Sequence, residues 1–114
     1  MHGLQIEQRD GVLLAALHVE VTLESIQEIK SELEQALAES GRDVLVLDLS
    51  GVNFMDSSGI SFLVALNTTM NSHSGLLYLY RPAGSVLKAL ELVQLRNFFN
   101  ILMTEDELAA LLPE

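Results

Sequence analysis

The sequence predicts an α/β fold on a mixed, mostly parallel sheet of about five strands with about four helices. Three observations predict it. Short apolar runs alternate with stretches of helical spacing, in the order β-β-α-β-α-β-α-β-α. Strands separated by helices need crossover connections, and these imply parallel pairing. The first two runs are instead joined by Arg9-Asp10-Gly11, and Asp-Gly between apolar runs is a strong hairpin signal. That hairpin makes the sheet mixed.

Each element has its own warrant. Residues 4–7 alternate, Leu4 and Ile6 against Gln5 and Glu7, which leaves one face wet. Residues 12–17, VLLAAL, are apolar throughout and read as a central strand. Residues 22–40 form the clearest helix, with Thr22 placed to cap it. Ile26, Ile29, Leu33, Ala36 and Leu37 share one face. Glu24, Glu28, Glu32, Gln35 and Glu39 line the other, a solvated stripe, and Gly41 ends the helix. Residues 43–49 are a short buried strand, and the segment from Ser58 to about Ser72 is a helix apolar around much of its girth. Asn71 to Gly75 stops it with polar residues and a glycine. Leu76–Tyr80 is a strand that Arg81-Pro82 breaks. Residues 85–95 are a third helix and 98–103 a last short strand. Thr104-Glu105-Asp106-Glu107 has the form of a capping box for a final helix to Leu112, which Pro113 ends. Tyr78, Tyr80, Phe98 and Phe99 are expected to pack in strands.

Bulk composition narrows function. The chain of 114 residues reads as one domain, 1–114, with one core. A hydrophobic content of 49% marks a folded protein. There is no cysteine, which excludes disulfides and thiolate chemistry. No apolar run is long enough to span a membrane, so direct membrane insertion is not expected. The start, MHGLQIEQRD, lacks the order of a signal peptide, so a cytoplasmic location is the default. A formal charge of -10, from 16 acidic and 6 basic residues, argues against nucleic acid and anionic lipid as partners. It permits a basic partner, though an acidic surface also simply keeps a small domain dispersed.

The chain centres on DVLVLDLSGVNFMDSSGISFLVAL, from Asp43 to Leu66. A buried strand runs into a turn at Ser50-Gly51, and Asp56-Ser57-Ser58-Gly59 then opens a helix. The spacing fits an N-cap, with Asp56 or Ser57 accepting from free backbone N–H groups. It also fits a phosphorylation site, because a helix start offers amide donors and the positive end of a dipole. The two readings are compatible. A serine hydrolase using Ser57 or Ser58 is a poor fit. No glycine stands two residues before either serine, and His2, His18 and His73 are scattered. No metal-ligand spacing and no glycine-rich phosphate loop occurs, so neither metal nor cofactor is expected.

The segment V-L-V-L-D-L-S-G-V-N-F-M-D-S-S-G-I, with β-β-α before it and α-β-α-β-α after it, resembles a STAS domain. It is similar, more narrowly, to the bacterial anti-sigma factor antagonists. The resemblance covers nearly the whole chain. It implies a STAS-like fold with the helices packed mainly on one side of the sheet. It also implies a partner-switching regulator with no catalysis of its own. Such a protein binds an anti-sigma factor, often a serine kinase, when unphosphorylated. It is released on phosphorylation of the serine after the motif Asp, here Ser57 with Ser58 as second choice, and a PP2C-type phosphatase reverses the step. The partner surface so implied includes Glu20, Thr22, Asn53, Phe54, Met55, Asp56, Ser58, Gly59 and Ile60. One departure stands out. Many members carry G-x-[LIV]-D-x-x-[TSN] after the second strand, where this chain has His18-Val19-Glu20-Val21-Thr22, with Glu20 as stand-in for the Asp. The alternative reading is a non-switching STAS adaptor of a lipid-transport or stress-signalling complex, docking through the same helix face.

Overall fold

The structure is a computed structural model that describes residues 3–9, 11–41 and 43–112. Its elements are β1 (Leu4–Arg9), β2 (Val12–Leu17), α1 (Ile26–Ser40), β3 (Val44–Asp48), α2 (Ser57–Ser72), β4 (Leu76–Tyr80), α3 (Gly84–Leu92), β5 (Asn100–Leu102) and α4 (Glu105–Leu111). A short 3₁₀ turn, Arg96–Phe98, precedes β5. The strands form one sheet in the order β1-β2-β3-β4-β5. β1 and β2 are antiparallel and the other neighbours parallel. The expected α/β class and mixed sheet are therefore observed. Gly11 sits in the hairpin turn at φ 90, a conformation that costs glycine little; Asp10 lies outside the described residues.

The strand order decides where the helices go. Each crossover steps one strand in the same direction, so successive helices land on one face. Residues of α1, α2 and α3 close a single core over that face, with Leu13, Leu45, Leu47, Leu77 and Leu79 from the sheet. Ile29 and Leu33 of α1, Leu63 of α2 and Leu90 of α3 are fully buried there. α4 alone packs on the opposite face, where Leu108 and Leu111 meet Val12, Val46 and Tyr80. A sheet wound in one direction has no point at which strand order reverses, so it lacks the crevice where open α/β sheets usually hold ligands. What it has instead is a rim of loops at the strands' carboxyl ends.

Local differences from the expected elements have physical causes. Thr22 does not cap α1 with its side chain. Its carbonyl accepts from the N–H groups of Ser25 and Ile26, so a tight turn comes first and regular helix begins only at Ile26. Ser25 Oγ takes the Thr22 N–H and donates to Glu20 O. α3 stops at Leu92 rather than 95, because Gln94 takes a positive φ of 60 and turns the chain toward β5. The last strand shrinks to three residues, and Phe98 falls in the 3₁₀ turn, 45% exposed, with only Phe99 buried. The capping box at Thr104 is formed as expected.

Candidate functional site

The site is built where the β2–α1 and β3–α2 connections meet. β3 ends at Asp48, whose carboxylate accepts from the N–H and hydroxyl of Ser50 and fixes the first turn. Leu49 and Val52 are fully buried, so the loop is pinned to the core at both ends of Ser50-Gly51. The chain then passes alongside residues 21–23. Val21 N–H donates to Phe54 O at 3.0 Å, and Asp56 N–H donates to Val21 O at 3.2 Å. Val21 and Met55 form an isolated parallel bridge. The buried backbone groups of both loops thus satisfy each other.

Asp56 ties the two loops to α2. Its backbone is extended, and Oδ1 accepts from Gly59 N–H at 3.0 Å, an N-cap contact. Oδ2 accepts from Leu23 N–H at 3.3 Å, 33 residues away in sequence. One carboxylate therefore caps α2 and holds the turn before α1. Gly59 makes the close approach possible. A Cβ there would lie 2.5 Å from Val21 O and would also strike Met55. A third connection joins the rim through Ser85, whose hydroxyl donates to Asn53 O at 2.8 Å.

Ser57 is the first helical residue of α2, and its side chain is exposed. Of the two serines, Ser58 is half-buried. No carboxylate occupies the first turn of α2, and among the described residues the amides of Ser57 and Ser58 have no capping partner. This is an exposed hydroxyl at the positive end of a 16-residue helix, beside open donors. Of the described histidines, neither His18 nor His73 bonds Ser57; His73 lies at the far end of α2, where it contacts Thr69 O. No group of three potential metal ligands exists among the described residues, and none of the helices described is long and apolar enough to cross a membrane.

Most residues expected on the partner surface gather on this rim. Glu20, Asn53 and Phe54 are exposed, and Thr22, Asp56 and Ile60 are half-buried. Two do not reach the surface. Met55 is 6% exposed and Gly59 is buried, because both are clamped under Val21; they shape the site from below. Sequence reasoning missed Leu23, which is 74% exposed at the apex of the turn beside Asp56. Its one sequence signal is an apolar residue placed before, rather than along, the buried stripe of α1. With Phe54, 49% exposed, it supplies an apolar knob close to Asp56.

The site is thus an exposed serine at the start of the second crossover helix of a singly wound sheet. The chain belongs to the STAS domain family, whose model matches residues 3–108. Solved structures share the fold. A Thermotoga maritima protein assigned as an anti-sigma factor antagonist is 22% identical with a TM-score of 0.87, covering 97% of this chain and 95% of that one. An anti-sigma factor antagonist from Mycobacterium paratuberculosis is 24% identical with a TM-score of 0.80, covering 94% and 91%. The Bacillus cell-fate determinant SpoIIAA in its phosphorylated form is 18% identical with a TM-score of 0.70, covering 94% and 96%. SpoIIAA in its unphosphorylated form is 17% identical with a TM-score of 0.71, covering 94% of each chain.

Proposed function

We propose that this STAS domain is an anti-sigma factor antagonist. Unphosphorylated, it binds an anti-sigma factor that is also a serine kinase. Phosphorylation at Ser57 releases it, and a PP2C-type phosphatase resets it. The observation that carries the reading is Ser57 itself: an exposed hydroxyl directly after the Asp56 cap, on a helix start with open amides and no acid in its first turn. A phosphate there gains backbone donors without displacing any buried group. The signal is then charge on a docking face. A phosphate brings roughly -1.5 to -2 units of charge, which a partner can cover only by desolvating it.

The docking face comprises Leu23 and Phe54 as apolar anchors, with Glu20, Thr22, Asn53, Asp56, Ser58 and Ile60 around Ser57. The test uses the cognate kinase. The wild-type chain should gain one phosphate at Ser57 by intact mass and site mapping, and Ser57→Ala should gain none. Ser57→Ala should keep partner binding, and the phosphorylated form should bind at least about 100-fold more weakly, the cost of burying one unpaired charged group. An active kinase that leaves Ser57 unmodified, or a phosphorylated form that binds as well as the unmodified one, would refute the switch.

A further inference from the structure

We propose that the groove between α1 and α2 binds a fatty acid of about twelve carbons or more as its free carboxylate. The groove has a volume of about 530 Å³, inside the roughly 300–1,000 Å³ range of small-molecule sites. It is open along one side and follows α2 from Ser57 to Met70, a length of roughly 20 Å at 1.5 Å per residue. Its floor is apolar, formed by Ile26, Leu33 and Leu37 of α1 and Phe62, Leu66 and Met70 of α2. A long, narrow apolar trough suits a single acyl chain better than a compact ring system.

The polar groups are not spread evenly along it. Both helices begin at the same end, because each follows a parallel strand of the sheet. At that end stand Ser57, Ser58 and Ser61, with the two uncapped amides of α2. Lys30, in the second turn of α1, also lines the groove and makes no ion pair among the described residues. Asp56, the cap of α2 at this end, has both oxygens engaged by Gly59 and Leu23, and Glu28, in the first turn of α1, does not line the groove. Glu34 lines the wall one turn further along α1. The Lys30–Glu34 order is the weaker one for an i,i+4 pair, and the two side chains do not bridge. A cation and free donors at one end of an apolar trough complement an anionic head on a long tail. The chain's charge of -10 disfavours an anionic membrane as the source of that acyl chain, so the ligand is the free acid.

The experiment titrates the full chain with laurate below its micellar concentration, read by calorimetry and by methyl NMR. Saturable binding is expected, with shifts at Ile26, Leu33, Leu37, Leu66 and Met70. The uncharged 1-dodecanol should bind at least about tenfold more weakly because it loses the charge-assisted contact, as should laurate to Lys30→Glu, which replaces that contact with a like charge. Ala65→Trp, at an exposed position on the rim of α2, should plug the groove and abolish binding. Circular dichroism melts check that both variants fold. Absence of saturable binding, shifts elsewhere, or unchanged affinity in Lys30→Glu and Ala65→Trp would overturn the proposal. So would equal binding of dodecanol, or binding only to phosphatidylglycerol vesicles. Laurate titration of the wild-type chain needs neither kinase nor phosphate, and phosphorylation needs no laurate, so each measurement can fail without the other and failure here is separate from failure of the switch.

Discussion

α2 and α4 begin in the same way and are finished differently. In each, a side-chain oxygen at the N-cap accepts from the third helical amide: Asp56 from Gly59 N–H at 3.0 Å, Thr104 from Glu107 N–H at 3.1 Å. α4 then closes on itself. Glu107 reaches back to the N–H groups of Thr104 and Met103, and Glu105 and Asp106 fill the rest of its first turn with negative charge. The first turn of α2 is Ser57-Ser58-Gly59, with no acid, and the second oxygen of its cap is spent on Leu23 in another loop. The positive end of the α4 dipole is thus neutralised locally, whereas that of α2 is left open. A phosphate at α4 would meet three carboxylates. At Ser57 it would meet amides. The same local cap chemistry makes a closed end in one place and an open end in the other.

The largest effect that tests this contrast is at Gly59. Ala at this position must push against Val21 O, a backbone atom that cannot rotate away. We expect Gly59→Ala to cost about 2–3 kcal/mol, at the upper part of the overpacking range, measured by urea denaturation. The equivalent third residue of α4, Glu107, is exposed, and Glu107→Ala should cost only about 1 kcal/mol through loss of its half of the capping box. Equal costs would mean that the loops around α2 yield more easily than the geometry implies.

Next in size is the cap itself. Asp56→Ala removes charged acceptors from two N–H groups on separate segments and should cost about 2 kcal/mol. Thr104→Ala removes a neutral cap and should cost about 1 kcal/mol. Asp56→Asn separates the two contacts. Its amide oxygen can still accept from Gly59, but its NH₂ cannot accept from Leu23. Amide exchange at Leu23 should therefore rise in Asp56→Asn while that of Gly59 stays protected. If Leu23 exchanges at the wild-type rate, the link between the loops contributes nothing.

These two helix starts also mark how far the sequence can be read. The α4 cap was legible because all its partners lie within four residues, and Thr104-x-x-Glu107 names them. Strand and helix alternation was legible because short apolar runs alternate with helically spaced ones; the expected two faces of β1 were not found, since as an edge strand it is buried only at Leu4 and leaves Ile6 38% exposed. The start of α1 was misjudged because Thr22 answers to Phe54, Met55 and Asp56 through its neighbours Val21 and Leu23, contacts more than 30 residues apart. The burial of Met55 and Gly59 has the same origin. Residues flanking a site in sequence were expected on its surface, but the crossing of two loops placed them underneath. The groove depends on the spacing between α1 and α2, which no local pattern encodes.

The smallest effect is the most discriminating for function. Ser57→Ala should leave stability nearly unchanged, because among the described residues the hydroxyl has no hydrogen-bond partner to lose. Ser57→Glu should stabilise the fold by about 0.3–1 kcal/mol, since it places a negative charge at an unneutralised helix start. The gain should shrink as salt rises, as expected for an exposed charge. The neighbouring Asp56 opposes it, but both oxygens of Asp56 are already committed to N–H donors. A rise in melting temperature together with weaker partner binding would separate the two consequences of charge at this position: the helix accepts it, and the interface does not. A fall in melting temperature would mean that Asp56 dominates the local field. Phosphorylation would then act by loosening the α2 start and the Leu23 turn rather than by presenting charge on an intact surface.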